Sequence, residues 1–244
     1  MPSIFKKYLV LIVIVLSAST RSKAQLYFSM YLDAGQTNVS EGMFIKLAGF
    51  SAYQFGKNKV EGGFQIDLKS PGSTIYTGTS LDYTREFSIR EFPFEIQGLF
   101  IYNSFSELVH EYDWGILASI QQKHFTLKLG TNFRTYKITR KAIDKYEISS
   151  DKKLHENWNI MYLLGYSLKP YDHYWNIGLA VTNIDHFIIN QETNPVFNIH
   201  AKYDVTEHFT LFTESWYKSS GAFNLSVNYF GFFFRTGVLW RIDI

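Results

Sequence analysis

Val60-Glu61-Gly62-Gly63-Phe64-Gln65-Ile66-Asp67-Leu68-Lys69 is the stretch on which the reading of this chain turns. Val60, Gly62, Phe64, Ile66 and Leu68 are apolar or small, and Glu61, Gln65, Asp67 and Lys69 stand between them. A period of two puts the first set on one face of a β-strand and the second on the other. Strands of roughly 9–11 residues are also what a tilted crossing of a bilayer's hydrocarbon requires.

The same pattern recurs along the chain. Tyr112, Trp114, Ile116, Ala118 and Ile120 alternate with Glu111, Asp113, Ser119 and Gln121, and Phe125, Leu127, Leu129 and Phe133 oppose Thr126, Lys128, Asn132 and Arg134. Trp158, Ile160, Tyr162, Leu164, Tyr166 and Leu168 share one face. Phe197, Ile199, Ala201 and Tyr203 oppose Asn198, His200, Lys202 and Asp204. Near the end, Phe234, Val238, Trp240, Ile242 and Ile244 oppose Arg235, Arg241 and Asp243.

Composition separates the classes that alternate in this way. Phe 22, Tyr 17 and Trp 5 bring aromatics to 18%, yet mean hydropathy stays close to zero. A lipid-facing barrel averages out in this manner, because every strand carries both kinds of residue. Aromatics gather toward expected strand ends: Tyr53 and Phe55, Tyr83 and Phe87, Trp158, Tyr174 and Trp175, Trp216 and Tyr217. Rings there suit the headgroup level, with an apolar body in lipid and a polar edge in water. A soluble β-sandwich also alternates, but it does not account for so aromatic an apolar face. The reading is all-β: a closed antiparallel transmembrane β-barrel of about twelve strands, with ten or fourteen as alternatives.

Residues 1–24 read as a cleaved signal peptide. Lys6 and Lys7 precede the apolar run Tyr8–Leu16, and Ser22-Lys23-Ala24 offers small residues for cleavage before Gln25. Residues 25–244 then form one barrel domain, with 25–42 as an optional N-terminal extension. Loss of Lys6, Lys7, Arg21 and Lys23 leaves 20 basic and 22 acidic residues, a formal charge of −2. A balance of that sign does not favour nucleic acid as a partner. There is no cysteine, hence neither a disulfide framework nor a lipid-attachment thiol.

Turn signals fall at Gly56–Lys59, Ser70–Ser73, Gln122–His124, Pro170–His173, Thr206–His208 and Ser219–Gly221. Arg140–Glu156 and Asp185–Pro195 read as two long loops, which bacterial barrels carry on the exterior. The strand count contains a conflict. Counting Leu26–Ala34 as a strand gives thirteen, whereas single-chain barrels use even numbers. Either that segment lies outside the barrel, or Phe223–Ile244 is wrongly divided near Tyr229-Phe230-Gly231.

No catalytic, metal or cofactor-binding set emerges. The histidines are His110, His124, His155, His173, His186, His200 and His208, mostly in expected turns or loops. His110 lies on the strand face opposite Glu111 and Asp113, so the three do not converge. Gly62-Gly63 reads as a place where the barrel bends, and no cofactor is called for. The candidate site is the lumen, where the polar faces put Glu61, Asp67, Lys69, Glu111, Asp113, Lys128, Arg134, His200, Lys202, Arg235, Arg241 and Asp243. Charges of both signs in so narrow an interior are expected to pair and obstruct it.

Trp175-Asn176-Ile177-Gly178-Leu179-Ala180-Val181-Thr182-Asn183, Ala201-Lys202-Tyr203-Asp204-Val205 and Gly237-Val238-Leu239-Trp240-Arg241 resemble the C-terminal half of the PorP/SprF family of type IX secretion and gliding. The signal-like start and cysteine-free aromatic composition look like outer-membrane proteins of Bacteroidota. The resemblance implies an outer-membrane barrel serving as a structural or assembly subunit of an envelope complex. Its partners would be outer-membrane lipid and other envelope proteins or lipoproteins. A porin-like small-solute channel is the alternative, and a lipid-modifying outer-membrane enzyme comes third.

Overall fold

The computed structural model describes residues 24–37, 43–68, 77–89, 92–105, 109–147, 154–190, 195–218 and 230–244. Twelve strands follow one another along the chain: β1 (Ala24–Thr37), β2 (Met43–Phe55), β3 (Asn58–Asp67), β4 (Thr77–Ile89), β5 (Phe92–Phe105), β6 (Val109–Gln122), β7 (Phe125–Ile138), β8 (Leu154–Ser167), β9 (Trp175–Thr182), β10 (Val196–Asp204), β11 (Phe209–Lys218) and β12 (Phe230–Asp243). Each pairs antiparallel with its neighbours, and β1 pairs with β12 to close the barrel. Closure rules out the sandwich, which would leave edges.

The strand-count conflict is settled by this closure. Leu26–Ala34 lies within β1, hydrogen-bonded to β2 on one side and β12 on the other, so it is wall rather than extension. Phe230–Asp243 is a single strand. The segment expected to be cut by the signal peptidase, up to Lys23, lies outside the described residues.

Alternation is realised as burial. On β6, Glu111 and Asp113 are 1% and 0% exposed inside the barrel, and Trp114 and Ile116 are 58% and 56% exposed outside. Phe64, Leu81, Leu129, Ile160, Leu179, Ile199 and Phe234 continue that apolar exterior around the wall. Among the described residues no helix is long and apolar enough to cross a membrane. An apolar belt on a closed barrel instead meets lipid through strands, with every strand having neighbours on both sides.

The two rims differ. One, the turn end, carries the start of β1, the end of β12 and the connections Gly56-Lys57, Lys123-His124, 168–174 and 205–208. The opposite rim, the loop end, carries the other ends of the strands, with 139–147 after β7 and 183–190 after β9. The first expected long loop is not all loop, because Arg140–Tyr146 forms helix α1. Thr139 caps it by accepting a hydrogen bond from the Ala142 amide, and left-handed Glu147 ends it. Of the second long loop, residues 185–190 turn into the lumen.

The girdle reading needs correction at Phe55, which is 7% exposed and stacked on Tyr53, and at Trp216. Trp158, Tyr83, Tyr174 and Tyr217 are exposed on the outer face, but Trp216 is 7% exposed and faces inward. There it stacks on Phe233 with centroids 5.7 Å apart. Gly63 also has a different reason from the expected bend. A Cβ on it would lie 2.3 Å from two ring carbons of Phe50, so its bare backbone makes room for that inward ring.

Candidate functional site: a hairpin held inside the lumen

β9 is short, and past Thr182 the chain turns inward instead of continuing the wall. Asn183 begins the turn by replacing a strand neighbour for β8. Its amide side chain donates to the Ile160 carbonyl at 2.7 Å and accepts from the Tyr162 N–H at 2.8 Å. It also donates to the Asn190 carbonyl at 2.9 Å, and the Asn190 N–H returns to the Asn183 carbonyl at 2.7 Å. Within this bracket Ile184 and Ile189 bridge, and the Asp185 N–H donates to the Ile188 carbonyl at 2.8 Å. The segment 183–190 is thus a miniature hairpin with His186 and Phe187 at its tip.

The tip is apolar because of where it lodges. Phe187, Ile188 and Ile189 are 0%, 5% and 0% exposed. Phe187 and His186 pack on Phe50 of β2, at centroid distances of 5.0 and 4.8 Å. Phe187 also lies over Gly78 of β4, where a Cβ would come within 3.1 Å of its ring. Tyr31, Phe44, Phe50, Trp216 and Phe233 extend this contact into one apolar cluster on the inner wall.

Two buried arginines hold the hairpin from different sides of the barrel. Arg235 on β12 donates to both Asp33 carboxylate oxygens at 2.8 and 3.0 Å, and to both Asp185 oxygens at 2.9 and 3.1 Å. Its guanidinium lies 4.0 Å from the centroid of Tyr31 and near Trp216 and Phe233. A buried charge requires such a full set of partners, and bidentate carboxylates supply the strongest. Burial alone would push the Asp185 carboxyl up, but the Arg235 guanidinium and its hydrogen bonds hold it below the usual carboxylate range. Across the lumen, Arg134 on β7 pairs with Asp113 at 2.8 Å and Glu111 at 3.4 Å, and donates to the Ile189 carbonyl. Asn103 on β5 adds bonds of 2.8 Å to the Phe187 carbonyl and to Glu111.

Below the hairpin, toward the turn end, lies a cavity of about 490 Å³. It extends from Ile184, Asp185 and His186 down to Tyr171 in a turn-end connection. Lys59, Glu61, Asp82, Glu95, Lys128, His200 and Glu214 stand in its wall. With Asp185 and, at 3.5 Å, Glu214 engaged by Arg235, the acids Glu61, Asp82 and Glu95 still outnumber Lys59 and Lys128.

Ten of the twelve lumen residues expected from the sequence fall into three groups. Glu111, Asp113, Arg134 and Arg235 are buried in the two networks that grip the hairpin. Glu61, Lys128 and His200 line the cavity, with Glu61 paired to Lys59 at 2.6 Å. Lys202, Arg241 and Asp243 belong to the turn-end rim, where Lys202 donates to the Tyr171 carbonyl and Arg241 to the Glu207 carbonyl. Asp67 sits near the loop end of β3 opposite Lys46, and Lys69 lies outside the described residues. Sequence reasoning missed Asp33, Asn103, Asp185 and Glu214 around the hairpin, and Lys59, Asp82 and Glu95 in the cavity wall. Asp33 and Glu214 were legible as acids at inward positions of β1 and β11. For Asp185 the signal was an acid next to the apolar triplet Phe187-Ile188-Ile189 in a long polar connection.

A closed twelve-strand antiparallel barrel, lipid-facing without and charged within, defines the class of outer-membrane β-barrels. Solved structures of that class are similar in fold. The KdgM porin matches with a TM-score of 0.52 and 12% identity over 87% of this chain and 98% of that one. KdgM in complex with disordered oligogalacturonate matches with 0.51 and 10% over 88% and 98%. Omp33 of Acinetobacter baumannii gives 0.48 and 8% over 90% and 99%. No protein-family model and no curated protein sequence matches the chain.

Proposed function

We propose that this protein is exported by cleavage of its first 24 residues and inserted in the outer membrane, with the loop end outward. There it acts as a narrow channel for small polar solutes, constricted by the hairpin 183–190. The carrying observation is the charged cavity of about 490 Å³ beneath that hairpin. A barrel that serves only as scaffold gains nothing by keeping Lys59, Glu61, Asp82, Glu95 and Lys128 around an open space, since buried charge costs free energy unless paired or wet. The surplus of acids favours cations and disfavours polyanions. That separates the reading from a channel for an acidic saccharide such as the one bound to KdgM. The porin-like fold is consistent with the assignment. The test is reconstitution of the purified protein in planar bilayers. Small, discrete conductance steps are expected, and a sealed bilayer under every condition would remove the channel reading.

A second reading, a subunit of a secretion-type envelope complex in a Bacteroidota cell, draws on the segments that resemble the PorP/SprF family and on how firmly the hairpin is held. Stoichiometric envelope proteins or lipoproteins after gentle extraction would favour it over the channel.

A further inference from the structure

The wall of the barrel has a notch at the turn end between β5 and β6. The β4–β5 ladder runs down to Ile89 and Phe92, and the β6–β7 ladder runs to Gln122 and Phe125. The β5–β6 ladder between them begins only at Glu95 and Ser119. Phe92, Pro93 and Phe94 are therefore laddered only to β4, and Ile120, Gln121 and Gln122 only to β7, along a seam of about 10 Å at the rise of a strand. Pro93 has no N–H with which to close it.

Three spaces meet at this notch. On the outer surface an apolar groove of about 400 Å³ is lined by Phe92, Ile120, Leu127 and Leu129, together with Pro93, Phe94 and Ser119. Those last three residues also line an inner vestibule of about 530 Å³, whose wall includes Glu86, Glu95, Gln121, Lys123, Tyr171 and Asp172. Glu95, Gln121 and Tyr171 in turn border the lumen cavity. Ser119, an inward residue that donates to Glu95 at 3.0 Å, thus touches both the lipid-facing groove and the interior.

We infer that the notch is a lateral binding site for a membrane amphiphile of the phospholipid class. The acyl chain lies in the Phe92–Leu129 groove, and the head group passes Ser119 into the vestibule. The groove opens onto the lipid belt, so an acyl chain is the occupant already at hand. The vestibule's polar side carries Glu86, Glu95 and Asp172 against Lys123. That balance favours a head group bearing an ammonium over a purely anionic one. The site goes beyond solute passage through the lumen and does not require it.

The experiment replaces Gln121 by photoreactive p-benzoylphenylalanine in the full barrel, reconstituted in phosphatidylethanolamine vesicles. Leu129 in the groove is replaced in the same way as a control for lipid contact, and intact mass after irradiation is the readout. A phosphatidylethanolamine adduct at position 121 is expected, at least about fivefold stronger than in phosphatidylglycerol vesicles. Ser119→Trp should abolish it while the barrel remains heat-modifiable. Labelling at 129 without labelling at 121 would overturn the site. Equal labelling by both lipids, or an adduct that survives Ser119→Trp, would overturn the assigned head group or route. Conductance plays no part in the readout, so failure here is distinct from failure of the channel reading.

Discussion

Asp33 and Arg235 face each other directly across the seam where β1 meets β12, and the same guanidinium that bridges the seam also grips Asp185 of the hairpin. Removing the arginine therefore leaves two carboxylates buried without their cation, which is costlier than removing either acid. Arg235→Ala is expected to destabilise the barrel by about 3–5 kcal/mol. Asp185→Asn, which leaves the Asp33 pair intact, should cost less. The temperature at which each variant loses its compact form on unheated gels checks the order.

Asp185→Asn should also loosen the hairpin without opening the wall. In bilayers the variant is expected to show larger conductance steps than the parent. Steps of unchanged size would mean that the hairpin does not limit passage.

The latch should respond to acid with a defined sign. The carboxyl of Asp185 is held below its ordinary value in the folded barrel. Its contribution is therefore complete above the unfolded value, near pH 4, and fades as pH falls through the depressed folded value. Conductance steps should keep their size from neutral pH down to about 4 and grow only in stronger acid. A rise between pH 5 and 7 would contradict the assignment.

The outer face of the barrel was open to reading in the sequence, and much of its interior was not. Trp114 and Glu111 differ so strongly in polarity that alternation assigns both sides of β6 at once. Phe232-Phe233-Phe234 offers no such contrast, although Phe233 turns inward and Phe234 outward. The apolar inner sector has the same cause as the missed hairpin. Period two says which residues share a face, but not what that face meets. Phe50 and Trp216 are apolar on the inside because the hairpin packs there, and Phe187-Ile188-Ile189 is too short to show any period of its own.

Gly63 provides a test of that packing. Gly63→Val would force its side chain against the Phe50 ring and is expected to cost about 1–3 kcal/mol. Phe50→Ala in the same chain should recover part of the loss, read by the same gel transition.

Neutralising Glu95 and Asp82 together should move the reversal potential in a salt gradient toward anions, because both carboxylates stand in the cavity wall. An unchanged potential would place the selecting charges elsewhere.

The double engagement of Arg235 also orders assembly. Its place in the wall is complete only when the first strand and the last have met, since Asp33 and Arg235 are partners across that join. An open sheet, as it exists before the ends unite, has no finished socket for Asp185. Closing the cylinder therefore completes one of the hairpin's two arginine anchors, while Arg134 on β7 holds the other side independently of that join.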